Sequence, residues 1–167
     1  MSEAAGAGVA GDAAVPPSGE VGLGAPPAVG DGAVPQTGGV GAGSPLALAP
    51  LSFWGGVGPT GRVVDRHHPG LGAELAGRVL VMECSRGSSS SASVLAELIR
   101  VGAAPAAIVL ARADPIIALG SIVAAELYDL RMPVVTLAAR WHARVASAGY
   151  VVVRADPQTG EARVTAG

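Results

Sequence analysis

A single cysteine, Cys84, stands in the 167 residues, and lysine is absent altogether. The lone thiol excludes an internal disulfide and a metal centre ligated by cysteines of this chain alone. Aromatic residues are scarce as well, with one Phe, two Trp and two Tyr. That removes the stacking platform on which single-stranded nucleic acid is usually held. The eleven basic residues, all arginine, face thirteen acids, for a formal charge of −2. Residues 1–44 carry Glu3, Asp12, Glu20 and Asp31 with no base, so the remainder holds eleven Arg against nine acids. Neither part is basic enough to neutralise a phosphate backbone. No apolar run approaches the roughly 20 residues of a membrane span, and Met1-Ser2-Glu3-Ala4 lacks the basic and apolar regions of a secretory signal. The expectation is a soluble cytoplasmic protein with neither a nucleic-acid nor a membrane partner.

Composition changes along the chain. Residues 1–44 alternate Gly, Ala, Val and Pro, and Pro16-Pro17 and Pro26-Pro27 interrupt any helix. No period of 3.6 or 2.0 persists there, so this stretch cannot bury enough surface to offset its ordering entropy. It reads as a disordered leader, with an ordered domain over 45–167. Phe53 and Trp54 are expected as core or interface anchors, and Arg62-Val63-Val64-Asp65 as a short strand. Asp65-Arg66-His67-His68-Pro69-Gly70 reads as a polar loop, since adjacent histidines on an extended chain point apart. Val79-Leu80-Val81-Met82 and Ala106-Ala107-Ile108-Val109-Leu110 are apolar runs of buried-strand length, with a helix ending at Gly102-Ala103-Ala104-Pro105 between them. Strand, helix, strand with short loops is a parallel crossover. Asp114-Pro115 opens a short helix to Gly120, Val123–Tyr128 continues helically, and Met132–Leu137 returns as a strand. The runs Tyr150–Arg154 and Glu161–Thr165, flanking Asp156-Pro157-Gln158-Thr159-Gly160, form a terminal hairpin. The fold class is α/β in one domain of ordinary size.

The centre of the chain is Arg86-Gly87-Ser88-Ser89-Ser90-Ser91-Ala92-Ser93. It follows a buried strand and precedes a helix with Val94, Leu95 and Leu98 on one side and Glu97 and Arg100 on the other. A glycine-serine loop at a helix start gathers unpaired backbone N–H groups and hydroxyls at the positive end of the helix dipole, a ready anion site. One serine is enough to cap a helix; five within six residues beside Arg86 exceed that need. A capped helix behind a serine linker and a ligand-binding loop both remain open at this point.

In their order, Pro50-Leu51-Ser52-Phe53-Trp54-Gly55-Gly56, Thr60-Gly61, Asp65 through His68-Pro69, Gly77–Leu80, Arg86–Ser91, Ala104–Ile108 and Asp114-Pro115-Ile116 through Gly120 resemble the aconitase X small-subunit (swivel domain) family. The resemblance covers about residues 50–137 well and the closing hairpin loosely. It implies a single swivelling β/β/α domain, like the mobile domain of aconitase, that closes over a large subunit. It also implies a hydro-lyase component acting on a small hydroxy acid. No cofactor is expected on this chain alone; an iron or iron–sulfur centre held by cysteines is expected on the partner large subunit. Carried over by motif, Ser88 is the base that removes the substrate proton, Ser89 a binding hydroxyl and Gly87 the point where the backbone comes close to the substrate. Arg86 either holds a substrate carboxylate, which its guanidinium suits, or is a surface arginine at the loop start, and Ser90 is a further candidate for substrate binding. Asp65 and His68 are further candidate site residues. Ser90 stands where ordinary aconitase has a carboxylate-binding arginine, which disfavours a tricarboxylate substrate. The family dehydrates cis-3-hydroxy-L-proline or phosphomevalonate, and the uninterrupted serine run with Val94–Leu98 resembles the hydroxyproline branch more. A non-catalytic binding module that retains the swivel fold is the alternative.

Overall fold

A computed structural model describes residues 32–167. In chain order the elements are β1 (Val34–Pro35), β2 (Gly39–Gly43), β3 (Pro45–Ala47), β4 (Val79–Met82), α1 (Ser90–Arg100), β5 (Ala107–Leu110), α2 (Pro115–Tyr128), β6 (Val134–Thr136), α3 (His142–Ala146), β7 (Val151–Asp156) and β8 (Glu161–Ala166). One sheet has the order β1-β6-β5-β4-β3, and a second has the order β2-β7-β8. The β3–β4, β4–β5 and β5–β6 pairs are parallel and the β1–β6 pair is antiparallel.

The unbroken apolar runs of β4 and β5 follow from cover on both faces of the sheet. Leu80, Met82, Ile108, Leu110 and Val134 pack with Leu95, Leu98 and Ile117 of the helical layer. Their neighbours Val79, Val81, Ala107, Val109 and Val135 pack the other way, with Val151, Val153 and Val164 of the second sheet and Val145 of α3. The two-residue alternation of strand side chains thus sorts one run into two cores. The layers are sheet, sheet, helix: the expected β/β/α arrangement.

Three sequence expectations need correction. Strand structure begins at Val34, inside the segment expected to be a disordered leader. β2 pairs antiparallel with β7, from Gly39 opposite Ala155 to Gly43 opposite Val151. A glycine strand with no apolar period is held by a partner more than a hundred residues later, a signal no local window contains. Gly41 and Gly43 are required there, since a Cβ on either would run into the Ala106 and Gly77 carbonyls. The rest of the leader, residues 1–31, lies outside the described residues. The Arg62–Asp65 strand is reduced to isolated bridges, Val57 to Val63 and Arg62 to Glu74. The two helical pieces around Gly120 are one helix, α2. Gly120 lies within it because a Cβ there would stand 2.8 Å from the Ala92 carbonyl oxygen of α1, so the glycine lets two helices cross closely. Among the described residues no helix is long and apolar enough to cross a membrane.

Candidate active site

β4 ends at Met82, and the chain climbs through Cys84 and Ser85 to the serine loop. Ser85 bridges Leu51 in parallel, and the Arg86 N–H donates to the Leu51 carbonyl at 3.0 Å. The loop therefore starts from a fixed edge. It turns at Gly87, whose φ of +115° is open only to glycine at low cost. A Cβ on Gly87 would stand 2.5 Å from Ser52 Oγ. After this turn Ser88, Ser89 and Ser90 are exposed, and α1 begins.

The serines divide by role. Ser91 is buried, and its Oγ accepts from the Trp54 N–H at 3.2 Å, pinning the Ser52–Trp54 segment to the first turn of α1. Ser89 is at the N-cap, but no side chain caps this helix, so capping does not account for the serine run. The N–H groups of Gly87, Ser88, Ser89 and Ser90 find no partner among the described residues. Four consecutive unpaired donors at a helix start, flanked by exposed hydroxyls, form a cradle for an anion or a developing oxyanion.

Arg86 lies beside this cradle, half exposed, and its guanidinium donates to Asp65 Oδ2 at 2.9 Å. The other Asp65 oxygen accepts from the His67 N–H at 2.9 Å. That backbone hydrogen bond, followed by the charge of Arg86, outweighs the opposing effect of burial and holds the Asp65 carboxyl below its usual value. A single contact to Asp65 leaves the rest of the guanidinium fork open to a second carboxylate. His68 is placed differently. It is 4% exposed, its Nδ1 accepts from the Gly70 N–H at 2.9 Å, and its Nε2 donates to the Ala49 carbonyl at 3.1 Å. Both ring nitrogens are used to fold the loop, so His68 supports the site from inside.

Phe53 is fully buried, whereas Trp54 is 61% exposed. The pair therefore splits into a core anchor and a surface residue, and only Trp54 can belong to an exposed patch. Cys84 is half-buried and takes a hydrogen bond from Arg112 at 3.1 Å. No three His, Cys, Asp or Glu side chains converge on a metal-sized site among the described residues. Cys84 is the chain's only thiol, so a centre ligated by several cysteines cannot be built from this chain alone. A groove of about 1220 Å³ lies away from the serine loop, between α2 and the β7–β8 hairpin, and is lined by Thr37, Ile122, Arg131, Arg154 and Arg163 among others.

A sequence model of the aconitase X swivel domain matches residues 33–162. The chain belongs to this family. The swivel domain is 52% identical over 92 residues to cis-3-hydroxy-L-proline dehydratase of Pseudomonas aeruginosa, a stretch that is 54% of this chain and 16% of that protein. It is 46% identical over 76 residues to the phosphomevalonate dehydratase small subunit of Methanothermobacter thermautotrophicus, covering 45% of this chain and 58% of that one. The crystal structure of Thermococcus kodakaraensis aconitase X in its holo-form superimposes with a TM-score of 0.61 at 29% identity, covering 80% of this chain and 98% of that chain. The swivel domain thus spans a small fraction of the hydroxyproline dehydratase and just over half of the phosphomevalonate dehydratase small subunit.

Proposed function

We propose that this chain is the swivel component of an aconitase X-type hydro-lyase and supplies a serine base and an arginine to a site completed by a large partner. The observation that carries this reading is the serine loop. Ser88 is exposed beside Arg86 and four N–H groups that have no partner among the described residues, and it lies outside the groove between α2 and the β7–β8 hairpin. A covering surface is what such a half-site lacks. The iron or iron–sulfur centre expected for the complex belongs on that partner.

Dehydrating a β-hydroxy acid removes a proton from the carbon next to the carboxylate and expels the hydroxyl from the neighbouring carbon. Ser88 Oγ, as alkoxide, takes the proton. A serine hydroxyl is far too weak an acid to reach that state in water, so its negative charge must be held by the loop N–H groups and Arg86 with solvent excluded. Arg86 has a second duty suited to its planar fork, which is to grip the substrate carboxylate while Asp65 holds its other side. Gly87 lets the backbone approach the substrate, and Ser89 and Ser90 contribute hydroxyls and N–H groups to the same cradle.

The substrate we favour is cis-3-hydroxy-L-proline, which on dehydration and tautomerisation becomes Δ1-pyrroline-2-carboxylate. This is supported by the higher identity over a longer stretch to the Pseudomonas dehydratase than to the archaeal small subunit. The test is turnover of both substrates by the swivel chain assembled with its large partner. Ser88→Ala is expected to lose turnover by about three orders of magnitude or more while the complex still forms. A parent-like rate for Ser88→Ala removes Ser88 from the mechanism, and turnover of phosphomevalonate alone overturns the substrate assignment.

A further inference from the structure

Asp114 is 7% exposed and its carboxylate makes four hydrogen bonds. Oδ1 accepts from the N–H groups of Ile116 and Ile117, at 3.0 and 3.2 Å, and so caps α2. Oδ2 accepts from the Ser85 N–H at 2.8 Å and from its hydroxyl at 2.5 Å. An N-cap needs only the first pair. The second oxygen reaches out of the helix to the residue just before Arg86. At the other end of the loop, α1 is packed on α2 through the close contact of Gly120 with Ala92. Entry to the serine loop and exit from it are therefore both referred to one helix.

We propose that Asp114 is a positioning residue of the serine loop, fixing through Ser85 the point from which Arg86–Ser89 departs. This rests on the reading of Ser88 given above. Among the described residues the exposed loop side chains have no hydrogen bonds of their own except Arg86 to Asp65, so their placement depends on these anchors. A displacement of about 1 Å at a reacting group is enough to cost on the order of 100-fold in rate.

The two duties of Asp114 separate cleanly by substitution. In Asp114→Asn the amide oxygen keeps the cap of α2, but an NH2 group now opposes the Ser85 N–H, so that half of the loop tether is lost and the Ser85 hydroxyl can only turn to accept from the amide. Measured in the assembled complex, Asp114→Asn should lower kcat about 10- to 100-fold with KM changed less than about threefold. Ser85→Ala should lower kcat about fivefold and Ser85→Thr, which retains the hydroxyl, should restore it. Amide hydrogen exchange at Arg86–Ser90 of the full chain should quicken in Asp114→Asn while the strands β4 and β5 are unaffected. If Ser88→Ala is inactive but Asp114→Asn and Ser85→Ala keep the parent kcat, the positioning role is wrong. If Asp114→Asn fails to assemble, Ser85→Ala against Ser85→Thr decides the matter by the same criterion. A Ser88→Ala variant with parent turnover overturns the reading of Ser88 itself, and this role of Asp114 with it.

Discussion

Gly87→Ala tests whether the shape of the serine loop is imposed by its surroundings. Two costs add. At φ +115° an alanine sits outside its favoured regions, a strain of about 1–3 kcal/mol. The new Cβ also meets Ser52 Oγ at 2.5 Å. Moving Ser52 breaks its hydrogen bond to the Trp54 carbonyl, now 2.8 Å, at about 1 kcal/mol. The sum is roughly 2–4 kcal/mol, which for a domain of this size, at about 4 °C per kcal/mol, lowers Tm by about 8–16 °C. Gly102→Ala is the control, because Gly102 has φ +74° and nothing within 4 Å of a built Cβ. It should cost only the left-handed conformation, about 1 kcal/mol and about 4 °C. The assay is thermal unfolding of both variants beside the parent, with turnover of the assembled complex. Should the exposed loop relax around the alanine, the Tm loss shrinks and the displaced Ser88 shows instead as a loss of kcat. A Gly87→Ala variant no less stable than Gly102→Ala and with parent kcat would refute the reasoning.

Other variants test the loop's supports. Ser91→Ala leaves the Trp54 N–H without its acceptor in a part-buried position and should destabilise by about 1–2 kcal/mol, whereas Ser90→Ala, at an exposed site, should be near neutral by urea titration. His68→Ala removes a buried ring and partners of both the Gly70 N–H and the Ala49 carbonyl; a loss of about 2–3 kcal/mol is expected, and a neutral result would show that the loop holds without it. Burial pushes the Asp114 carboxyl up, but the Ser85 hydroxyl and N–H and the Ile117 and Ile116 N–H groups more than offset this, and it titrates below its usual value. A depressed carboxyl stabilises the fold above the unfolded-state value, and this contribution is lost as pH falls through the folded one. The stability gap between parent and Asp114→Asn, measured by urea midpoints, should therefore be widest near neutral pH and narrow below about pH 4. A gap independent of pH would mean that the charge of Asp114 contributes nothing.

Several elements of the fold, in both sheets and in the helical layer, were readable locally. The apolar runs of Val79–Met82 and Ala107–Leu110 have the length of strands, Asp114-Pro115 has the form of a helix start, and the closing hairpin is bounded by turn residues. Other features were not readable. Gly120 resembled a helix break because helix propensity sees only the missing side chain, whereas Ala92 across the helix interface is what makes a side chain impossible there. The serines looked alike in sequence, yet Ser91 turns inward to Trp54 while Ser88 to Ser90 remain outside. His68 looked like a site residue beside His67, and only the approach of Ala49 shows that its ring is occupied.

By itself the sequence determined where the groups capable of chemistry stand along the chain. A glycine that tolerates a rare turn, hydroxyls at a helix start and an adjacent arginine can be recognised from residue type and order, since covalent structure and short-range sterics act within a few residues. The tertiary structure decided which of those groups are free. Asp65 meets Arg86, Asp114 meets Ser85 and β2 finds β7 across separations of 21, 29 and more than a hundred residues. Contacts at such separations depend on how the whole chain packs, and no local pattern encodes them.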